Sequence, residues 1–253
     1  MTGQTEIVAV ASGKGGVGKT WLSITLAHAA CLAGRSAIIL DGDIGLANVD
    51  IQAGISPRLD LSAWAQGDAA LAEIVHHADA GFDVIPGASG SSAMAGLGAP
   101  DIARLIGDFR NLASAYDLGL IDISAGVEAA QIRLAGAAGR CLLVITEDPT
   151  ALTDGYAFVK LAQRLKRPPR FGVVVNMAES KESGVAAYKA LAKATTGFLK
   201  VEPALVGVIR RDPAVAGAIR RQTPLLAAAP HAPAADDARA ILASILAQPR
   251  RAA

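Results

Sequence analysis

The sequence predicts a single α/β domain, a mostly parallel central sheet with helices on both faces, and three observations carry that expectation. Seven short apolar runs, at 7–11, 37–40, 82–85, 118–121, 141–145, 171–175 and 205–209, lack strict polar alternation, as strands buried on both faces do. Helical stretches fall between several of these runs, and parallel strands need such crossovers. Of the 253 residues 52% are hydrophobic but only 4% aromatic, so the core must be assembled from Ala, Val, Ile and Leu, which suits this class. No charge run, Ser/Gly tract or Pro-rich stretch divides the chain, so one domain is expected over 1–253.

The first run flows into Gly13-Lys14-Gly15-Gly16-Val17-Gly18-Lys19-Thr20. That stretch satisfies the phosphate-loop spacing G-x-x-x-x-G-K-[ST] between a strand and a helix. The helix follows with Leu22, Ile24, Leu26, Ala29, Ala30 and Cys31 in helical company. Glycines let Gly13, Gly15, Gly16, Val17 and Gly18 fold tightly, so that backbone N–H groups and the positive end of the helix meet the same phosphate oxygens. Lys19 then reaches the β- and γ-phosphates and the Thr20 hydroxyl binds Mg²⁺. A turn that only reverses the chain would give no reason for Lys19 and Thr20 at these offsets. Lys14 is either a surface bystander or an extra counter-charge.

The second run ends on Asp41-Gly42-Asp43, at a strand end where an α/β site collects its ligands. Taken without the phosphate loop, two acids there read as a solvated turn. The fourth run ends on Leu120-Ile121-Asp122, an acid placed to hold Mg²⁺ through water.

The segment Lys14 to Thr20 resembles the deviant Walker A motif of the MinD/ParA class of P-loop NTPases, and Asp41 to Asn48 resembles that class's first switch. The resemblance implies ATP and Mg²⁺ as cofactors. It also implies roles: Lys14 acting across a dimer on the partner's nucleotide, Asp43 orienting the attacking water, Asp41 supporting the Mg²⁺ shell of Thr20 and Asp122, and Asn48 near the dimer face. Lys14, Lys19 and Asp43 are thereby the catalytic candidates. Val174-Val175-Asn176 resembles the strand-end Asn that contacts adenine, and Asp212 aligns in the later base-pocket segment. Departures from the pattern stand at Ile123 and Ser124 in the second switch and at Arg210, where the class usually has Pro.

Within the class the chain resembles the flagellar-number regulators (the FlhG or FleN branch) through three segments. They are Gly45-Leu46-Ala47-Asn48-Val49-Asp50, Ile85-Pro86-Gly87-Ala88-Ser89-Gly90 and Arg220-Arg221-Gln222-Thr223-Pro224-Leu225. Glu147-Asp148-Pro149-Thr150 departs from the branch's Pro-Glu-Pro-Thr and bears on a cross-dimer contact. This resemblance implies a homodimer formed with ATP, slow partner-stimulated hydrolysis, and regulation of flagellar number or placement. Its implied partners are flagellar assembly proteins such as the flagellar signal-recognition-type GTPase, with reversible contact at the inner face of the membrane or the cell pole. Alternatives are a nucleotide-binding recruitment module with little hydrolysis, or a partitioning or cell-division-site ATPase.

A net charge of +1 supplies no field for nucleic acid, and the pairs Lys166-Arg167, Arg210-Arg211 and Arg220-Arg221 read as solvated faces. Missing C-x-x-C pairing disfavours the related iron–sulfur carriers. Cys31 and Cys141 read as small buried hydrophobes, Trp21 as a packing residue, and His28, His76, His77 and His231 share no metal-ligand spacing. No apolar run reaches the roughly 18–20 residues that cross a bilayer, and residues 1–5 lack a signal-peptide pattern, so a cytoplasmic protein is expected. Residues 234–249 predict a C-terminal helix with Ile241, Leu242, Ile245 and Leu246 on one face and Arg250 and Arg251 beyond. That face packs on the core or, alternatively, anchors weakly to a membrane.

Overall fold

In β1 (Glu6–Ala11), Val8 and Val10 join one buried cluster while Ala9 and Ala11 join the other, because strand side chains alternate faces. The same division runs through the whole sheet of this structure, a computed structural model that describes residues 5–43, 45, 47–90 and 97–247. The further strands are β2 (Ala37–Gly42), β3 (His76–His77), β4 (Asp83–Ile85), β5 (Leu118–Ile123), β6 (Arg140–Ile145), β7 (Arg170–Ala178) and β8 (Ala204–Arg210). They lie in the order β3-β4-β2-β5-β1-β6-β7-β8. Every pairing is parallel except β3 on β4. All seven predicted strands form. The pair His76–His77 was not predicted, being two polar residues at an edge; it is held by the backbone pairing and by a 2.7 Å contact of His77 Nδ1 with Asp83 Oδ1.

Helix α1 (Lys19–Leu32) covers one face with α8 (Pro213–Arg220), α9 (Leu225–Ala228) and α10 (Pro233–Ala247). The opposite face carries α4 (Ala99–Ala113), α5 (Ala129–Ala137), α6 (Pro149–Ala162) and α7 (Lys181–Ala194). Two short helices, α2 (Val49–Ala53) and α3 (Leu61–Gln66), follow β2. From β1 the chain first moves to β2 and β4 on one side, and after β5 it crosses to β6, β7 and β8 on the other. The reversal falls at β1, and open α/β sheets bind their ligands outside the carboxyl ends of strands at such a point.

Ile241, Leu242 and Ile245 of α10 are buried, and Leu246 packs partly against the same cluster. A Cβ at Gly207 of β8 would overlap the Ile241 side chain, so that glycine is what lets α10 lie flat on the sheet. Arg140 Nη1 donates to the Ile245 carbonyl at 2.7 Å, and Arg210 donates to Asp237 through its backbone N, Nε and Nη2 at 2.9–3.0 Å. Residues 248 and 249, Arg250 and Arg251, and Ile44 and Leu46 of the first switch lie outside the described residues. Cys141 is fully buried as expected. Cys31 is only partly buried, at the end of α1, and its thiol donates to the Gly81 carbonyl at 3.2 Å. Among the described residues no helix is long and apolar enough to cross a membrane.

Candidate functional site

Gly16 (φ 75°) and Gly18 (φ 90°) hold the phosphate loop in the left-handed region that glycine enters without strain. Gly18 is also the N-cap of α1. It brings no side chain to the first turn, and that turn holds no acid, so its N–H donors remain for an anion. Nothing lies within 4 Å of where a Gly16 Cβ would stand. Beyond the loop opens a cleft of about 490 Å³, lined by Gly15, Gly16, Gly18, Lys19 and Thr20 and faced by Asp43, Asn48 and Ser124. The loop has the shape and polarity for a polyphosphate.

Lys19 is 8% exposed, and burial lowers its pKa while Asp122 and Asp43 pull it back up. Asp122, at the end of β5, accepts from Thr20 Oγ1 at 2.6 Å and from Ser23 Oγ at 3.0 Å. Burial pushes its pKa up to about 6, partly offset by the Thr20 bond and Lys19. Asp41 sits opposite Asp122 across β2 and β5. Burial, and then the charge of Asp122, push its pKa up to about 7. Its carboxylate accepts from the N–H groups of Asp43, Asn48 and Val49 at 3.0–3.1 Å, so it holds the first-switch loop and the start of α2.

Two neighbouring carboxylates, both with pKa values raised by burial, beside the Thr20 hydroxyl, form a donor set that suits a cation. Among the described residues no three His, Cys, Asp or Glu side chains could hold a metal by themselves. Mg²⁺ fits this, since it is typically bound by one or two carboxylates with water and substrate phosphates completing its shell.

The tertiary structure gathers Gly13 to Thr20, Asp41, Asp43 and Asp122 at the carboxyl ends of β1, β2 and β5. Lys14 stands apart from the cleft that Lys19 lines. Its ammonium donates to Asp148 Oδ2 at 2.7 Å and to Thr150 Oγ1, on the first turn of α6. The Lys14 bond holds the Asp148 carboxyl down at about 2. Asn176 is buried with its amide on the phosphate loop: Nδ2 donates to the Val17 carbonyl at 2.8 Å and Oδ1 accepts from Met177 N–H at 2.9 Å. Asp212 caps α8 through Ala214 N–H at 2.9 Å and ties it to α10 through Ala234 N–H at 3.1 Å. Arg210, the departure from Pro, is engaged by Asp237.

Ser23 was not singled out from sequence. Its signal was its place one turn after Thr20 on the same helix face, where it reaches the same carboxylate. Gln52 was missed too, and Trp21, read as packing, is buried but also lines the cleft.

The pattern of the CobQ/CobB/MinD/ParA nucleotide binding domain matches residues 8–225. The chain is 37% identical over 196 residues to the antiactivator FleN of Pseudomonas aeruginosa, a stretch covering 78% of this chain and 70% of that protein. It is 32% identical over 191 residues to the flagellum site-determining protein YlxH of Helicobacter pylori, 76% of this chain and 64% of that one, a little under two thirds of its length. Among solved structures, it superposes on the cell division ATPase MinD of Pyrococcus furiosus with a TM-score of 0.82 at 24% identity, covering 95% of this chain and 98% of that one. It superposes also on the septum site-determining protein MinD of Pyrococcus horikoshii, solved with Mg-ADP, with a TM-score of 0.80 at 23% identity over 94% of each chain. Structural likeness at that identity speaks to fold, whereas the pattern match and the FleN identity speak to descent. The chain belongs to the CobQ/CobB/MinD/ParA nucleotide-binding family, with its phosphate loop at Gly13 to Thr20.

Proposed function

We propose that the protein is a switch that pairs two copies of itself when ATP and Mg²⁺ are bound and releases them on hydrolysis, with flagellar number or placement as its output. The position of Lys14 carries the switch reading. A second phosphate-loop lysine that lies outside its own cleft, about one third exposed and held by Asp148 and Thr150 on the rim, is free to exchange those partners for phosphates of a facing copy. The flagellar output is supported by the identity to FleN and YlxH.

In this reading Asp43, facing the cleft, orients the attacking water, and Lys19 with a partner copy's Lys14 offsets charge developing on the γ-phosphate. Thr20, Asp122 and Asp41 would hold Mg²⁺, which would supply neutralisation of the phosphate oxygens. Asp41 sets the loop that carries Asp43 by holding three of its N–H groups. Asn176 supports the loop from beneath and, with Asp212, shapes the adenine end. Slow turnover, accelerated by a partner such as the flagellar signal-recognition-type GTPase, follows from a role in which the lifetime of the bound state carries the signal. Peripheral membrane contact through α10 would require Ile241, Leu242 and Ile245 to leave the core. Liposome binding unchanged by truncation at Pro233 would rule that route out.

A recruitment module with little hydrolysis is the second reading. Ile123 and Ser124 favour it, since both line the cleft and Ser124 Oγ is held by Gln131 Nε2 at 2.9 Å. Light scattering with ADP, then with ATP and Mg²⁺, on wild type and Asp43→Ala tests both. A dimer with ATP alone that persists in Asp43→Ala and releases phosphate only in wild type establishes the switch. A mass that never changes refutes it, and a stable ATP dimer with no phosphate release in wild type favours the recruitment module.

A further inference from the structure

The cleft extends past the phosphate loop between α1, α2 and α8. At that end α2 and α8 meet closely, because Gly54 after α2 abuts the Gln222 carbonyl after α8. Two side chains there hold polar atoms that are shut from solvent and have no partner within the protein, Trp21 Nε1 and Gln52 Oε1, and both residues line the cleft. Native proteins leave few buried polar groups unpaired, and those that remain call for an explanation.

Their chemistry narrows it. The Gln52 amide nitrogen is already committed, donating to Asn48 Oδ1 at 3.4 Å, so the amide oxygen is what Gln52 presents. Phosphate oxygens could accept from the Trp21 indole N–H. A fully ionised phosphate donates nothing, so it cannot satisfy Gln52 Oε1. A hydroxyl both donates and accepts and can serve both atoms. The rest of this wall is apolar, from Met177 and from Ile219, which is 37% exposed. Trp21 is also the residue directly after Thr20, so it belongs to the turn of α1 that meets the phosphates.

We propose that Trp21 and Gln52 bind the ribose hydroxyls of the nucleotide and position its nucleoside end, with Trp21 donating and Gln52 accepting. This rests on the ATP-binding assignment and adds to it which sugar contacts this chain uses. Both are positioning residues. The bond to each should matter only for ligands that carry the hydroxyls.

Calorimetric titration of the full chain with ADP, 2′,3′-dideoxy-ADP and tripolyphosphate, on wild type, Trp21→Phe and Gln52→Leu, tests this. Wild type should prefer ADP over the dideoxy form by about tenfold, and each variant should bind ADP about five- to tenfold more weakly while binding the other two ligands as wild type does. Equal loss on all three ligands would mean a packing defect and overturn the assignment. So would a wild type with no hydroxyl preference, whereas a wild type that binds no ADP at all would overturn the nucleotide assignment itself. Should Trp21→Phe fail to fold, the emission of Trp21 in a Trp64→Phe background decides its part. Trp64 is the other of the chain's two tryptophans and packs in the core of the opposite face. The emission should change more with ADP than with tripolyphosphate or 2′,3′-dideoxy-ADP, and an equal change with all three would overturn the role.

Discussion

Between pH 6 and pH 8 the nucleotide-free protein loses stability through the two buried carboxylates of the site. Asp41 and Asp122 have pKa values raised to about 7 and about 6, chiefly by burial. In the unfolded chain both titrate near the ordinary value of about 4. The folded state therefore binds more protons than the unfolded state across this window, and stability falls as pH rises through it. Integrating the excess bound protons from pH 6 to 8 gives a loss on the order of 2 kcal/mol for the pair. For a domain of this size that corresponds to about 4–8 °C in Tm.

His28 works in the opposite direction. It is buried, its pKa is lowered, and its contribution therefore grows as pH rises through its ordinary range. The measurement is accordingly the difference between wild type and Asp41→Asn, from thermal melts at constant ionic strength across pH 6 to 8, without nucleotide and with Mg-ADP. Wild type should lose stability more steeply than Asp41→Asn without nucleotide, by on the order of 1 kcal/mol or a few °C. With Mg-ADP the two slopes should converge, since a bound cation supplies the charge that burial denies. Parallel slopes without nucleotide would refute the reasoning.

Three further perturbations follow from specific contacts. Gly13→Ala places a Cβ against the backbone carbonyl of Asp154 on α6, so either the loop or the helix must move, costing about 1–3 kcal/mol in a chemical denaturation experiment; unchanged stability would mean that contact is not tight. Asn176→Ala strips partners from the Val17 carbonyl and Met177 N–H, and should cost about 1–3 kcal/mol of stability in the absence of nucleotide; unchanged stability would show that the amide does not hold the loop. Asp148→Asn weakens the hold on Lys14, so the ATP-dependent dimer should form at lower protein concentration in light scattering; a midpoint that stays or rises would show that Lys14 does not exchange partners.

Gly13 to Thr20 was legible because all of its chemistry lies within eight consecutive residues: the glycines, the lysine and the hydroxyl act where the chain places them. The seven principal strands were legible for a similar reason, since a strand buried on both faces is apolar along its length. Where chemistry depends on partners distant in sequence, the residues could be named but their contacts could not be read. Asp122 could be named as a carboxylate after a strand, but its bond to Thr20 joins residues 102 apart, and the bond of Asn176 to Val17 joins residues 159 apart. Asn176 was expected at adenine, and its contact with the loop was not legible in the sequence.

From its own order of residues the chain determined a nucleotide-binding α/β domain, a second lysine in the phosphate loop, and the acids that end β2 and β5. The tertiary structure decided the rest: that Lys14 rests on Asp148 and Thr150, that Arg210 meets Asp237, that Trp21 and Gln52 share one wall of the cleft, and that α10 lies on the core. The physical reason is that local periodicity fixes which face of an element is apolar but not what covers that face. Ile241, Leu242 and Ile245 repeat identically for a helix bound to a sheet and for one lying on a bilayer, and the space left at Gly207 beneath Ile241 is a property of the packed strands.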